Sequence, residues 1–136
     1  MENEILVSIG KENYTTHIQY GDLSIIADEP RELGGSNKGF APTQLLLSSI
    51  GSCKVITMKM YASRKNWDIN KIDIKLSLET KKSDLQQTTY ISCNIFIDGD
   101  LQEDQKQRLY NIAEKCPIHK ILQHPIIIES NLITTK

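Results

Sequence analysis

The sequence predicts an α+β fold in the order βββ-α-ββ-αα-β. Three observations carry this. The first third is a series of short β-rich runs, a stretch from Leu45 to about Lys65 is apolar around most of a helix, and two later segments alternate strictly between apolar and polar residues. Strands set apart from one buried helix indicate antiparallel sheets around it rather than a doubly wound parallel sheet. The 136 residues are enough for a single domain, 1–136, with a core of its own.

Glu4–Gly10, Tyr14–Tyr20 and Leu23–Ala27 read as three short strands, with turn signals at Gly10, Asn13 and Gly21-Asp22. Residues 28–42 hold two prolines and three glycines and read as a long loop. Pro42 suits the first turn of a helix, where its missing N–H costs nothing. Leu46, Ile50, Cys53 and Met60 fall at helical spacing, and Leu45, Leu47, Val55, Met58 and Tyr61 widen the apolar surface, as in a central buried helix. Ser48, Ser49, Gly51 and Ser52 keep the helix thin just before Cys53.

Ile69–Thr80 alternates, with Ile72, Ile74, Leu76 and Leu78 on one face, and Gln87–Gly99 alternates with Ile91, Cys93, Ile95 and Ile97 on one face. The polar link between them, including Lys81–Asp84, suggests an antiparallel hairpin with a solvated tip. Residues 101–116 read as a helix, 117–125 as a second, short one, and Ile126–Ile133 as a closing strand.

The formal net charge of −1 gives no electrostatic reason to expect nucleic acid or an anionic membrane as partner. No run approaches the length of a membrane span, and the N-terminus lacks the basic and apolar regions of a signal peptide, so a cytoplasmic location is expected. In that compartment thiols stay reduced, and three cysteines are an odd count, which argues against a disulfide scaffold.

Cys116 precedes Pro117, which places it at the N-cap of the last helix. There the helix dipole and His119, one turn on, form a recipe for a lowered thiol pKa; a small residue ending the previous helix is the other reading, and both stay open. Cys53 within an apolar helix and Cys93 within a strand read, from the residues alone, as packing. A zinc site built from Cys116, His119, His124 and Cys53 or Cys93 is a further reading, resting on one suggestive ligand pair.

Taken together, Asp28-Glu29-Pro30, Gly34-Gly35, Gly39, Pro42, Leu45–Leu47, Cys53, Thr57, Met60-Tyr61-Ala62, Arg64-Lys65 and Trp67, followed by Cys116-Pro117-Ile118-His119, resemble the OsmC/Ohr family, in its OsmC-like branch. The resemblance implies an intertwined homodimer with a long central helix. It also implies that Cys53 is the peroxidatic thiol and Cys116 the resolving one, with organic hydroperoxides as substrates and a dithiol reductant as partner. No cofactor or metal is implied. Peroxidase branches carry a glutamate where this chain has Thr43, beside Gln44, and an arginine where it has Lys11. Lysine keeps the charge but loses the planar fork. Arg31 is a candidate substitute; Arg64, roughly 16 Å along the helix from Cys53, is not. Two functions follow: a thiol-dependent peroxidase in oxidative-stress defence, or a non-catalytic protein of the same fold that holds a small hydrophobic ligand at a dimer interface.

Overall fold

The structure, a computed structural model, describes residues 4–134. The chain packs as two compact units, one through Ser49 and one from Ile50 onward.

In the first unit, β1 (Leu6–Ile9), β2 (Thr16–Tyr20) and β3 (Leu23–Ala27) form an antiparallel meander with β2 in the middle. Gly21-Asp22 makes the two-residue turn that the sequence marks, between the paired ends Tyr20 and Leu23. The loop that follows is not loose. Asp28 is 2% exposed, and its carboxylate accepts the backbone N–H groups of Tyr14 at 3.2 Å, Glu29 at 2.8 Å, Ser36 at 3.3 Å and Lys38 at 3.1 Å. A short 3-10 turn, Arg31–Leu33, sits inside this loop. Two glycines let backbone meet backbone there: a Cβ at Gly35 would lie 2.1 Å from the Glu29 oxygen, and one at Gly39 2.0 Å from the Ile26 oxygen.

Helix α1 runs Pro42–Arg64, with proline in its first turn as the sequence predicts. In place of a hydroxyl or carboxylate cap, the Gln44 side chain accepts the Ala41 N–H at 3.0 Å. Its end is a Schellman motif: Asn66 takes φ 59°, the Trp67 N–H reaches the Ala62 oxygen at 2.9 Å, and the Asn66 N–H reaches the Ser63 oxygen at 3.2 Å. Trp67 then packs edge-on against Tyr61, centroids 5.6 Å apart.

In the second unit, β4 (Ile69–Lys82) and β5 (Gln87–Gly99) form one long antiparallel hairpin. The register sets Leu76 opposite Cys93 and Ile74 opposite Ile95, and the predicted alternation holds, with Ile72, Ile74, Leu76 and Leu78 half-buried between exposed neighbours. α2 (Glu103–Ala113) starts with a capping box between Gln102 and Gln105, and α3 is Pro117–Gln123. The core is Met58, Ala62, Ile69, Leu109 and Ala113, joined by the half-buried inner face of the hairpin.

Two expectations are corrected. Ile126–Ile133 forms no strand, because β-rich sequence needs a ladder partner and the described residues of the chain supply none. Helix α1 is buried along one stripe (Ile50, Gly51, Lys54, Met58, Ala62) rather than all round, and Leu46, Ile56 and Met60 stay exposed.

Asp28 sets a pH signature. Burial pushes its pKa up, but the four backbone N–H donors outweigh this and hold it below the ordinary carboxylate value. A depressed folded-state pKa contributes stability above the unfolded-chain value of about 3.9, lost as pH falls through the folded value. Asp28→Asn is therefore expected to melt lower than wild type at neutral pH, with the gap closing on acidification. Thermal scans from neutral pH to about pH 2 check this; a gap constant over that range would refute it.

Candidate functional site

α1 presents Cys53, and the junction between α2 and α3 presents Cys116. Cys116 is the N-cap of α3: its Sγ accepts the His119 backbone N–H at 3.4 Å. It is wholly buried, while Cys53 and Cys93 are half-buried. The Cys53 side chain acts directly on the Cys116 thiol and raises its pKa, so the two sulfurs, distant in sequence, are neighbours in the fold.

Next to Cys53 stands a residue that sequence reading passes over. Lys54 has no exposed surface. Its ammonium meets the Ala113 carbonyl at 3.0 Å, Glu114 Oε2 at 3.1 Å and His119 Nδ1 at 2.7 Å. Three hydrogens thus face three acceptors, which a buried ammonium requires. The short contact to Nδ1 assigns the His119 proton to Nε2, with Nδ1 accepting. Glu114 is the wet end of the network, its side chain 42% exposed. The signal was present: a lysine amid apolar residues on a helix read as buried all round must find a partner. Which partner was not legible, since its acceptors lie at 113, 114 and 119.

The electrostatics correct one expectation. The N-cap geometry predicted for Cys116 is present, but its pKa is raised, not lowered. Burial pushes it up most strongly, the His119 N–H pulls it down, the Cys53 sulfur pushes it up and Lys54 pulls it down. A local helix-end effect is outweighed by removal of the thiolate from water. Burial likewise raises Cys93, with Lys54 opposing and Glu114 reinforcing. A cavity of about 230 Å³ adjoins this cluster, with Ile50, Ile91 and Leu122 among its apolar walls and Cys93 and His119 at its polar side.

His119, a candidate supporting residue, belongs to this thiol cluster. The others belong to the first unit. Lys11 is exposed beside a small hollow that it shares with Glu12 and His17, Arg31 is exposed on the 3-10 turn, Thr43 is exposed in the first turn of α1, and Gln44 caps that helix. Among the described residues no group of three or more His, Cys, Asp or Glu is placed to hold a metal ion, so the zinc set is not assembled. His124 instead sets Nδ1 2.6 Å from the Lys120 oxygen. No helix among the described residues is long and apolar enough to cross a membrane.

Residues 35–131 match the model of the OsmC-like protein family, and the chain belongs to that family. Its fold is also that of solved structures. An osmotic stress induced and detoxification response protein from Psychrobacter arcticus is 22% identical with TM-score 0.73, covering 89% of this chain and 88% of that one. An OsmC-like protein from Mycoplasma pneumoniae is 23% identical with TM-score 0.70, covering 90% and 89%. An organic hydroperoxide resistance protein from Legionella pneumophila is 18% identical with TM-score 0.65, covering 90% and 91%. No curated protein sequence matches the chain.

The raised pKa is open to direct test. In a Cys53→Ser, Cys93→Ser background, iodoacetamide should label Cys116 only slowly at neutral pH, with the rate rising above the ordinary thiol value of about 8.5. A half-maximal rate below that value would show that the helix end, not burial, governs this thiol.

Proposed function

We propose that the protein reduces organic hydroperoxides, with Cys53 as peroxidatic thiol and Cys116 as resolving thiol, as a cytoplasmic homodimer. The observation that carries this is the proximity of the Cys53 side chain to the Cys116 thiol. The name of the Legionella relative, an organic hydroperoxide resistance protein, points the same way.

The chemistry balances with these two residues. The Cys53 thiolate attacks the distal oxygen of ROOH; the O–O bond breaks, sulfur is oxidised to the sulfenic acid, and the alkoxide leaves and takes a proton as ROH. The Cys116 sulfur then attacks the sulfenic sulfur. The S–S bond forms, and the hydroxyl leaves with the Cys116 proton as water. A dithiol reductant restores both thiols by exchange. Because burial keeps Cys116 in the thiol form, its proton has to pass to the departing hydroxyl as the sulfur attacks. Thr43 supplies no carboxylate in place of the family glutamate.

The homodimer is supported by apolar surface that a single chain leaves open. Leu6 and Val7 are each 59% exposed, Leu23 72%, Ile127 84% and Leu132 90%. Soluble monomers rarely leave so much apolar surface uncovered, and a second copy would bury it. Sedimentation equilibrium is expected to give twice the mass of one chain; a single-chain mass at micromolar concentration would contradict the dimer.

A second reading, binding without turnover, is favoured by an apolar groove of about 380 Å³ lined by Val55, Ile56, Met60 and Ile72, with Lys59 and Lys71 at its rim. Peroxide chemistry separates the two. One equivalent of cumene hydroperoxide should remove two hydrogens from the wild-type intact mass and add one oxygen to Cys116→Ser. Cys53→Ser should consume peroxide at least about a hundredfold more slowly. Equal consumption by Cys53→Ser and wild type would end the enzymatic reading.

A further inference from the structure

Lys54 takes no part in the two steps above, yet it is the most completely enclosed charged side chain near the thiols. Its acceptors are not scattered. The Ala113 carbonyl that takes its hydrogen at 3.0 Å also takes the backbone N–H of Cys116 at 3.3 Å. His119, whose Nδ1 lies 2.7 Å from the ammonium, gives its own backbone N–H to the Cys116 sulfur. Glu114, 3.1 Å away, is two residues before Cys116. So one cation, adjacent in sequence to Cys53, grips the last carbonyl of α2, the junction and the first turn of α3, and Cys116 is the residue held between these grips.

We propose that Lys54 is a positioning residue for disulfide closure: its buried ammonium fixes the α2–α3 junction to α1 so that Cys116 stays within reach of Cys53 while Cys53 changes oxidation state. The inference rests on the assignment of Cys53 and Cys116 as a working pair. α3 has only seven residues and no fully buried side chain of its own, so this grip and the Cys116 cap are the polar contacts that hold its N-terminus. Without the grip, the sulfenic acid forms but the resolving thiol meets it rarely, and a second peroxide oxidises Cys53 further to the sulfinic acid.

The test separates closure from the first oxidation. Reduced protein is treated with diamide, which takes two electrons and two protons from a thiol pair, becomes the hydrazine and needs no peroxide activity. Wild type should form the Cys53–Cys116 disulfide. Lys54→Met, with no hydrogen to donate, should close at least about tenfold more slowly while iodoacetamide labels Cys53 at the wild-type rate. With excess cumene hydroperoxide the same variant should accumulate mass two oxygens heavier where wild type gives disulfide. Glu114→Gln, at a side chain that is 42% exposed, should slow closure about threefold. A folded Lys54→Met, or Glu114→Gln, that closes at the wild-type rate overturns the proposal. A wild type that closes with diamide but ignores hydroperoxide refutes the peroxidase reading alone and leaves this one standing.

Discussion

A lysine ammonium removed from water must have every hydrogen accepted, because an unpaired buried charge costs several kcal/mol. In the C-terminal unit that constraint falls on Lys54, and the arrangement around the thiols follows from it. Three acceptors have to converge on one nitrogen, and they come from the end of α2, the junction and the first turn of α3. The stripe that carries Lys54 continues through Met58 and Ala62 into the apolar core with Leu109 and Ala113. One helix face therefore changes along its length from apolar packing to a single polar anchor. The packing fixes where α2 lies, and the anchor fixes where α2 ends.

The N-terminal unit solves a similar problem with the opposite charge. Irregular backbone between β3 and α1 would leave N–H groups without partners, and burying them unpaired costs about 1–3 kcal/mol each. The Asp28 carboxylate collects four of them. Gly35 and Gly39 allow the chain to pass close enough for this to happen. In both units a buried charge organises a segment that has no regular hydrogen-bonding ladder, and in both it is paired by backbone groups.

How far the sequence revealed this depends on the range of the interaction. Period-two alternation placed β5 at its observed bounds and β4 nearly so, because burial of one sheet face is written residue by residue. Pro42 and Pro117 marked helix starts through their own backbone chemistry, and Pro117 made Cys116 legible as an N-cap. The direction of the Cys116 pKa was not legible: the helix end is local and visible, whereas burial comes from elements far along the chain. Lys54 was passed over for the same reason, with acceptors 59 to 65 residues away. Ile126–Ile133 shows the converse. Its composition favours a strand, but a strand is a property of a pair, and local propensity cannot provide the partner. Whether Cys53 and Cys116 lie near each other was beyond spacing and periodicity, because the two are 63 residues apart.

Burial of the sulfurs has a consequence for the proposed cycle. The same desolvation that disfavours a Cys116 thiolate disfavours any charged intermediate at that sulfur, whereas a disulfide is neutral and loses nothing by leaving water. The environment thus favours the closed, oxidised pair over separated thiolates, provided that the sulfurs stay adjacent. Reopening requires a reductant thiolate to reach a sulfur, and Cys116 has no exposed surface while Cys53 has some. Attack on Cys53, with Cys116 as the leaving thiol, is the accessible route. A leaving thiol with a raised pKa departs slowly unless a proton or a positive charge accompanies it. The His119 N–H and Lys54 both lower the Cys116 pKa. In the proposed cycle, the arrangement that would seat Cys116 for closure would therefore also ease its release, and both halves would draw on the same buried cation.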